Sequence, residues 1–330
     1  MAKFKVYITD YDYPDNEVEK SVLEPIGAEV IGLQCKDGKG LAELAKDANA
    51  LLVQYAHVTR ETIFALKDLK VIARYGAGVD IVDVKAAYER GVICTNVPHY
   101  CTNEVADHNI TLALMLIRRI PFYVAETKRG KWHWSETGLP VFRLSSLWLG
   151  LIGFGKIARN MARKAKALGF NLQTYDPYVD PQVPETEGVK MVDLETLLKT
   201  SDVVCVQCPL TEKTYHLIGE KELRMMKPTA VLLNCARAKI VDNKALYKGL
   251  KENWISSAAL DDVEEEPAKK FNWKPEMNPL FTLDNCFITP HVAYYSEQAI
   301  EEARRTAAEE AAAALLGKTP RYIVRPEDIL

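Results

Sequence analysis

A glycine-rich turn between an apolar segment and an amphipathic segment constrains the fold of this chain most strongly. Residues 148–152, WLGLI, are predicted to form a buried strand, and the amphipathic residues after Gly155 a helix. The turn between them, GFGKIA from Gly153 to Ala158, fits the pattern G-x-G-x-x-G/A. Its first glycine permits a tight turn, its second lets backbone approach a pyrophosphate, and Ala158 lets the helix lie close to the strand. Because a helix N-terminus attracts anions, this unit predicts a bound dinucleotide with its phosphates against Gly153 and Gly155.

One acidic residue indicates which dinucleotide binds. Asp176 ends the next apolar segment, roughly 20 residues after the turn, where an acid bonds the ribose 2′-hydroxyl. A carboxylate there repels a 2′-phosphate, and the following Pro177 and Tyr178 supply no arginine to accommodate one. The sequence therefore predicts NAD rather than NADP as the cofactor.

The alternation of short apolar segments with helical patterns predicts an α/β protein with parallel sheets. A chain of 330 residues is expected to form two domains. Five strands are expected before residue 97, and a second series of strands and helices starts at the glycine turn. Between the two series, residues 103–127 predict one long helix with apolar residues on most of its circumference, which suggests a domain connector or a subunit contact. A final alanine-rich helix is predicted from Ser296 to Leu316.

The composition excludes several classes of protein. With 48% hydrophobic residues, 26% charged residues and a net charge of −3, the chain is neither disordered nor a basic nucleic-acid binder. The N-terminus leads into a predicted strand without the apolar core of a signal peptide, and no apolar segment is long enough to span a bilayer. The seven cysteines are irregularly spaced, and the C-x-x-C pair at Cys205 and Cys208 lacks a second pair for zinc. Reduced thiols, no metal and a cytoplasmic location are expected.

Four ionisable residues are predicted to follow strand ends, where ligands bind in doubly wound sheets. They are Arg237, Asp261, Glu266 and His291. These residue types suit the oxidation of a 2-hydroxy acid, because an arginine grips the carboxylate and a histidine takes the hydroxyl proton as the hydride leaves. A carboxylate such as Glu266 beside His291 would stabilise the protonated ring. Taken singly, such residues are common in surface ion pairs, solvated acidic faces and Pro-His turns, so their combination carries the inference.

Four segments, in order, resemble the signatures of the D-isomer-specific 2-hydroxyacid dehydrogenase family. They are LGLIGFGKIARNMARKAKALGFNLQTYDPY, NCARAKIVDNKALYKGLKE, ALDDVEEEPA and ITPHVAYY. The resemblance implies NAD-dependent interconversion of a D-2-hydroxy acid and its 2-keto acid. It implies that Arg237 binds the substrate carboxylate, that His291 is the acid/base and that Glu266 is the partner of His291. The implied cofactor contacts are Gly153, Gly155, Lys156, Ile157, Asp176, Cys208, Pro209, Thr214, Cys235, Ala236 and Asp261.

The same resemblance implies two doubly wound parallel-sheet lobes, with a Rossmann cofactor domain inserted into a flavodoxin-like substrate domain. The substrate domain is expected to comprise residues 1–100 and 298–330, the cofactor domain residues 101–297, and the protein is expected to be a homodimer. Residues 73–80, ARYGAGVD, resemble the loop whose backbone N–H groups hold the substrate carboxylate. The implied substrate contacts are Arg74, Tyr75, Gly76, Ala77, Gly78, Tyr100 and Tyr294.

Departures from the family pattern bear on the activity. Asp262-Val263 stands where the family usually has Val-Phe. Residues 54–57, QYAH, lack the Arg-Ser pair typical of phosphoglycerate dehydrogenases, and no appended regulatory domain is expected, so phosphoglycerate is disfavoured as the substrate. Formate dehydrogenase is disfavoured because its members carry glutamine where Glu266 stands. Residues 293–305, AYYSEQAIEEARR, most resemble the C-terminal-binding-protein branch of NAD(H)-sensing corepressors, so an interaction protein is the alternative to an enzyme.

Overall fold

The computed structural model describes residues 2–137, 140–265 and 273–329, and the chain divides into two compact units. The outer unit comprises Met1–Cys101 and Tyr295–Leu330, and the middle unit comprises Thr102–Tyr294. Each unit contains one parallel β-sheet and its own clusters of buried apolar side chains. Within the described ranges, no helix is long and apolar enough to cross a membrane.

The outer unit has a five-stranded parallel sheet. Its strands are β1 (Phe4–Ile8), β2 (Ala28–Gly32), β3 (Ala50–Val53), β4 (Val71–Arg74) and β5 (Ile93–Thr95). Their order in the sheet, β2-β1-β3-β4-β5, is that of a flavodoxin-like fold. The connecting helices are α1 (Glu17–Leu23), α2 (Gly38–Leu44), α3 (Arg60–Ala65) and α4 (Val84–Glu89). The C-terminal helix, Glu297–Leu315, contributes Ala307, Ala308 and Ala311 to the same apolar cluster as Val71 of the sheet.

The middle unit has a seven-stranded parallel sheet. Its strands are β6 (Trp148–Ile152), β7 (Asn171–Tyr175), β8 (Lys190–Met191), β9 (Val203–Val206), β10 (Val231–Asn234), β11 (Ser257–Leu260) and β12 (Cys286–Ile288). Their order, β12-β11-β10-β9-β6-β7-β8, is that of a Rossmann fold, in which the strand order reverses between β6 and β9. The helices are α5 (Thr102–Ile117), α6 (Ile120–Lys128), α7 (Lys156–Ala167), α8 (Gln182–Thr186), α9 (Leu194–Thr200), α10 (Glu220–Met225) and α11 (Asn243–Lys251).

Sequence patterning explains these elements. The central strands β3, β9 and β10 are buried at every residue, as expected for parallel strands covered by helices on both faces. Several helices begin at a side chain that accepts a first-turn N–H, which satisfies an otherwise unpaired donor. These N-cap residues include Asp37, Thr59, Asp83, Asp193, Asp242 and Ser296. The prediction of two doubly wound α/β lobes, one Rossmann-type and inserted into a flavodoxin-like one, is confirmed.

The prediction of one long helix over residues 103–127 is wrong. The structure has two helices there, α5 and α6, separated at Arg118 and Arg119, and Arg119 has a left-handed backbone with a φ of 58°. Pro121 lies in the first turn of α6, where its missing N–H costs nothing. In a continuous helix its ring would clash with the carbonyl group of Ile117. α5 contributes seven buried residues and α6 none, so only α5 belongs to the core of the unit.

A buried ion pair joins α1 to the C-terminal helix within the outer unit. Arg304 Nη2 lies 2.7 Å from Glu19 Oε2, and Arg304 Nε donates to Glu19 Oε1 at 2.9 Å. The side chain of Arg304 is 7% exposed and that of Glu19 is 0% exposed. The hydroxyl of Tyr75 donates to the same carboxylate at 3.1 Å, and burial raises the pKa of Tyr75 well above its usual value. Because both charges are removed from water, loss of either partner leaves an uncompensated buried charge.

Replacing Arg304 by methionine should lower the free energy of unfolding of the outer unit by about 3–5 kcal/mol, because Glu19 keeps its buried charge without its partner. The matched control is Arg305→Met. Arg305 is the next residue of the same helix, and it pairs with Glu301 at 3.0 Å on the surface, so its loss should change stability little. Urea unfolding followed by circular dichroism measures both variants. Equal, small effects of the two substitutions would contradict this account of the ion pair.

Candidate active site

The carboxyl ends of the strands in the middle unit form one row along an edge of the sheet. Neighbouring strands pair in register from Ile152 of β6 through Val206 and Asn234 to Leu260 and Ile288. Residues that follow these strand ends emerge side by side, because adjacent strands lie about 4.8 Å apart. The predicted site residues that follow strands at this edge are Gly153, Asp176, Cys208, Cys235, Ala236, Arg237, Asp261 and His291.

The two glycines of the turn after β6 have different reasons to be glycine. Gly153 has a φ of 98°, and a Cβ there would lie 2.9 Å from the backbone nitrogen of Cys208, so both conformation and contact exclude a side chain. A Cβ at Gly155 would meet no atom of the described residues within 4 Å. The described protein therefore does not itself require glycine at 155, whereas a pyrophosphate lying against this backbone would. This turn fits a dinucleotide.

The start of α7 and the side chain of Asp176 flank this turn. α7 runs for 12 residues from Lys156, and its first turn contains no acidic residue that would neutralise the positive end of the helix. One oxygen of Asp176 accepts from the Phe154 N–H at 2.8 Å, and the other accepts from the Tyr178 N–H at 2.9 Å. These bonds hold the half-buried carboxylate at the rim of the turn. The specific contacts of Lys156, Ile157 and Asp176 with the cofactor stay predictions.

The loop after β9 is shaped by Thr214. Its hydroxyl donates to the Pro209 carbonyl oxygen at 2.6 Å and receives the Thr211 N–H at 2.7 Å, so it closes the loop that follows Cys208. Burial raises the pKa of Cys208 to about 11 and that of Cys205 to about 12, so both thiols stay protonated at neutral pH. All seven cysteines are free. The two thiols of this C-x-x-C segment, Cys205 and Cys208, are therefore expected to be unreactive.

The turn after β10 is shaped by a residue that sequence reasoning missed. Asn234 is 2% exposed, its amide nitrogen donates to the Arg237 carbonyl oxygen at 2.9 Å, and its amide oxygen accepts from the Ala236 N–H at 3.1 Å. This one side chain therefore bonds the backbone of Ala236 and Arg237 in the turn that follows β10. The guanidinium of Arg237 donates to the Ala236 carbonyl oxygen at 2.9 Å. The sequence signal was an amide at a strand end, which by itself is too common to single out.

Asp261 fixes the loop that follows β12. It is 4% exposed, and one of its oxygens accepts from the Thr289 hydroxyl at 2.5 Å and from the Val292 N–H at 3.0 Å. Its other oxygen accepts from the Ala293 N–H at 2.7 Å. The carboxylate therefore ties the end of β11 to the loop that carries His291. A direct contact of Asp261 with the cofactor stays a prediction.

His291 lies in that loop with an unusual backbone. Its φ is 56°, in the left-handed region, and its N–H donates to the Thr289 carbonyl oxygen at 3.0 Å. Ring atom Nδ1 lies 3.0 Å from Oδ2 of Asp262, and the ring centroid lies 6.2 Å from that of Tyr294. The predicted partner, Glu266, lies outside the described residues. The acid that the described residues place beside the ring is Asp262, which the sequence marked only as a departure from the family pattern.

The glycine loop of the outer unit carries most of the predicted substrate contacts. The guanidinium of Arg74 lies directly over Gly76, where a Cβ would collide with it, and it donates to the Tyr75 carbonyl oxygen. Gly76 has a φ of 145°, and its N–H donates to the Arg74 carbonyl oxygen at 2.9 Å. In this conformation the Gly76 N–H already donates a hydrogen bond within the protein, so it is not available to a substrate carboxylate. Ala77 is exposed and Gly78 half-buried further along the loop, and their contacts with a substrate stay predictions.

The structure contradicts the prediction that Tyr75 contacts the substrate. Its N–H donates to the Val53 carbonyl oxygen at 2.9 Å, which continues the pairing of β4 with β3. Its side chain is 3% exposed and bonds Glu19. Neither the N–H nor the ring of Tyr75 is therefore presented to a ligand, because the residue still follows the strand direction and points into the core. Tyr100 in the outer unit and Tyr294 in the middle unit are both half-buried, and their contacts with a substrate stay predictions.

Comparisons with known proteins agree with the geometry of this edge. The sequence profile described as D-isomer specific 2-hydroxyacid dehydrogenase, NAD binding domain, matches residues 110–293. The chain is 39% identical over 98% of its length to D-3-phosphoglycerate dehydrogenase from Methanocaldococcus jannaschii, of which it spans 60%. It is 38% identical over 88% of its length to glyoxylate reductase from Thermococcus litoralis, of which it spans 87%. D-lactate dehydrogenase from Aquifex aeolicus, solved with NAD and lactic acid, superposes with a TM-score of 0.85 at 26% identity, covering 95% of this chain and 96% of that one.

The chain belongs to the D-isomer-specific 2-hydroxyacid dehydrogenases, a family of NAD-dependent oxidoreductases. The resemblance inferred from four sequence segments is confirmed at the level of the family, and so is NAD as the cofactor. The finer resemblance to the corepressor branch stays a prediction.

Replacing Gly155 by serine should weaken NADH binding without lowering stability. Serine caps a helix as well as glycine does, and its Cβ meets no described protein atom, but the side chain would occupy the space expected for the pyrophosphate. We expect an unchanged thermal midpoint and a Kd for NADH raised on the order of 10-fold, the equivalent of about 1.4 kcal/mol. Gly153→Ala, by contrast, should lower the thermal midpoint. Unaltered NADH affinity of Gly155→Ser in a fluorescence titration would place the pyrophosphate elsewhere.

Replacing Asp176 by alanine should weaken the binding of NADH but not the binding of NADPH. Loss of a charged hydrogen-bond acceptor for the ribose should raise the Kd for NADH on the order of 10-fold or more. The Kd for NADPH should stay the same or fall, because the repulsion of the 2′-phosphate is removed as well. Damage to the turn alone would weaken both nucleotides equally. Equal losses in paired titrations would therefore show that the ribose is recognised by another residue.

Proposed function

We propose that this chain reduces small 2-oxo acids to D-2-hydroxy acids with NADH, and catalyses the reverse reaction with NAD. The observation that carries the proposal is the imidazole of His291 beside a carboxylate, 3.0 Å away, on the same sheet edge as the dinucleotide turn. A histidine held by an acid is suited to move a proton at neutral pH. Nicotinamide supplies or accepts the hydride when the cofactor is bound.

In the proposed mechanism, two residues at the ends of β10 and β12 act on the substrate. The planar guanidinium of Arg237 grips the carboxylate of the 2-oxo acid through paired hydrogen bonds, which fixes the carbonyl carbon in place. Nε2 of His291 donates its proton to the carbonyl oxygen as hydride arrives on that carbon, so no alkoxide accumulates. In the oxidation direction, neutral Nε2 accepts the hydroxyl proton. Glu266 is proposed to stabilise the protonated ring, as the family resemblance implies.

The substrate is proposed to be a small, unphosphorylated 2-oxo acid of the glyoxylate class. Support comes from the similarity to glyoxylate reductase from Thermococcus litoralis, which this chain matches over most of both sequences. The similarity to D-3-phosphoglycerate dehydrogenase covers more of this chain but only 60% of that protein. Residues 54–57, QYAH, offer no arginine for a phosphate, which favours the smaller substrate.

The protein is further proposed to act as a homodimer in a reducing, cytoplasmic compartment. α6 contributes no buried residue, and its side chains Ile120 and Val124 are 50% and 46% exposed. Trp132 and Trp134 follow it with 88% and 78% exposure, so this region offers apolar area for a second copy. The seven free cysteines are compatible with a reducing environment.

A panel of 2-oxo acids tests the proposed activity. We expect NADH consumption with glyoxylate, pyruvate or hydroxypyruvate, and much slower consumption with phosphohydroxypyruvate. In the same assay, His291→Ala should lower kcat by about 100-fold to 10,000-fold, the usual contribution of a general acid, while the Kd for NADH stays unchanged. Absence of turnover with every acid, together with tight NADH binding, would favour the NADH-sensing interaction protein instead.

A further inference from the structure

Asp262 and His291 form an acid–imidazole pair that the family pattern does not supply. Oδ2 of Asp262 lies 3.0 Å from Nδ1 of His291, within hydrogen-bond distance. The family resemblance gives valine at position 262, and valine has no side-chain atom that accepts a hydrogen bond. The pair is therefore a property of this chain and is additional to whatever Glu266 contributes.

The carboxylate of Asp262 is held in a single orientation. Its Oδ1 accepts from the N–H of Val263 at 2.8 Å, while its Oδ2 faces His291. Val263 is 1% exposed and belongs to the apolar cluster beneath the sheet edge, so the backbone on this side is anchored. The side chain of Asp262 is 18% exposed, against 31% for His291. The acid is thus the more buried member of the pair.

The backbone of His291 is fixed separately, by the preceding acid. Asp261 binds the N–H groups of Val292 and Ala293 and the hydroxyl of Thr289, which flank His291 on both sides. These bonds support a left-handed conformation that residues other than glycine rarely adopt. Two consecutive acids at the end of β11 therefore divide the task, since Asp261 holds the loop and Asp262 holds the ring.

This arrangement determines which ring nitrogen of His291 carries the single N–H proton of the neutral imidazole. An ionised carboxylate only accepts hydrogen bonds, so Nδ1 facing Asp262 must carry hydrogen. Nε2 then has a lone pair in the neutral ring and a transferable proton in the charged ring. The neutral ring can therefore accept a proton from a substrate oxygen through Nε2, and the charged ring can donate one to it.

We propose that Asp262 is the positioning residue of His291, fixing its tautomer and ring orientation for proton transfer from Nε2. The inference rests on the proposed function where it concerns proton transfer, but the pairing itself can be tested without any substrate. It also explains how this chain keeps an ordered acid/base although it departs from the family pattern beside Asp261.

The substitution Asp262→Asn gives a sharp test. Because the Val263 N–H must face the amide oxygen, the amide nitrogen of asparagine is turned toward His291 and donates to Nδ1. The proton of the neutral ring then moves to Nε2. Proton–nitrogen correlation spectra of ¹⁵N-histidine-labelled full-length protein report the tautomer directly, and the His291→Ala spectrum assigns the signals. We expect hydrogen on Nδ1 in the wild type and on Nε2 in Asp262→Asn.

A second acid–imidazole pair provides the matched control. Glu264 is two residues after Asp262 in the chain, and its Oε1 lies 3.1 Å from Nε2 of His216. Glu264→Gln should alter the signals of His216 and leave those of His291 unchanged, and Asp262→Asn should do the reverse. Should Asp262→Asn fail to fold, Asp262→Val replaces it, with loss of the single Nδ1–H tautomer as the expected result.

Steady-state kinetics separate positioning from a merely structural role. We expect Asp262→Asn to lower kcat on the order of 100-fold in both directions, with KM for the 2-oxo acid and Kd for NADH within about twofold of the wild type. A reversed tautomer together with this loss supports the proposal. An unchanged tautomer, or a reversed tautomer with unchanged kcat, overturns the positioning role of Asp262. Neither result contradicts the proposed dehydrogenase function. A wild-type protein without turnover overturns the proposed function and the proton-transfer role with it, whereas the spectra still decide whether the pair exists.

Discussion

The hydrogen bonds of the Asp261 carboxylate hold the candidate active site together. They fasten the end of β11 to the loop after β12, which places His291 at the sheet edge with a left-handed backbone that residues other than glycine rarely adopt. With this loop fixed, the imidazole can meet a carboxylate from the adjacent strand end. The loop geometry therefore depends on a buried acid that accepts three hydrogen bonds and need not itself take part in the chemistry.

The turn predicted to bind the cofactor depends on a pattern of residues that are close together in the chain. Gly153 is required by the protein, since its φ of 98° and its approach to the backbone of Cys208 leave no room for a side chain. Gly155 is not required by the described protein, since no described atom crowds it, and the prediction is that a bound pyrophosphate requires it. Both requirements act within one strand–turn–helix unit, so they leave a recognisable pattern in the sequence. For the same reason NAD could be predicted before any coordinates.

What the sequence could not reveal are contacts between residues far apart in the chain. The alternation of strands and helices predicted both sheets, because each element carries its own pattern. The Asp262–His291 pair depends on the register of neighbouring strands, which one sequence does not display. The bonds of Asn234 are local, but an amide at a strand end is too common a feature to single out from sequence. The expectation of one long helix followed apolar periodicity alone and took no account of Pro121. Tyr75 was assigned by analogy with a loop, although the strand before it turns its side chain into the core.

The central claim is that this sheet edge transfers a hydride between nicotinamide and the second carbon of a small acid. Mass spectrometry of the product formed from glyoxylate and NADH dideuterated at the nicotinamide C4 tests it most directly. The account predicts one deuterium bound to carbon in the resulting hydroxy acid, and retention of the other in the oxidised cofactor. A product without carbon-bound deuterium, or no product under conditions where NADH binds, would contradict it.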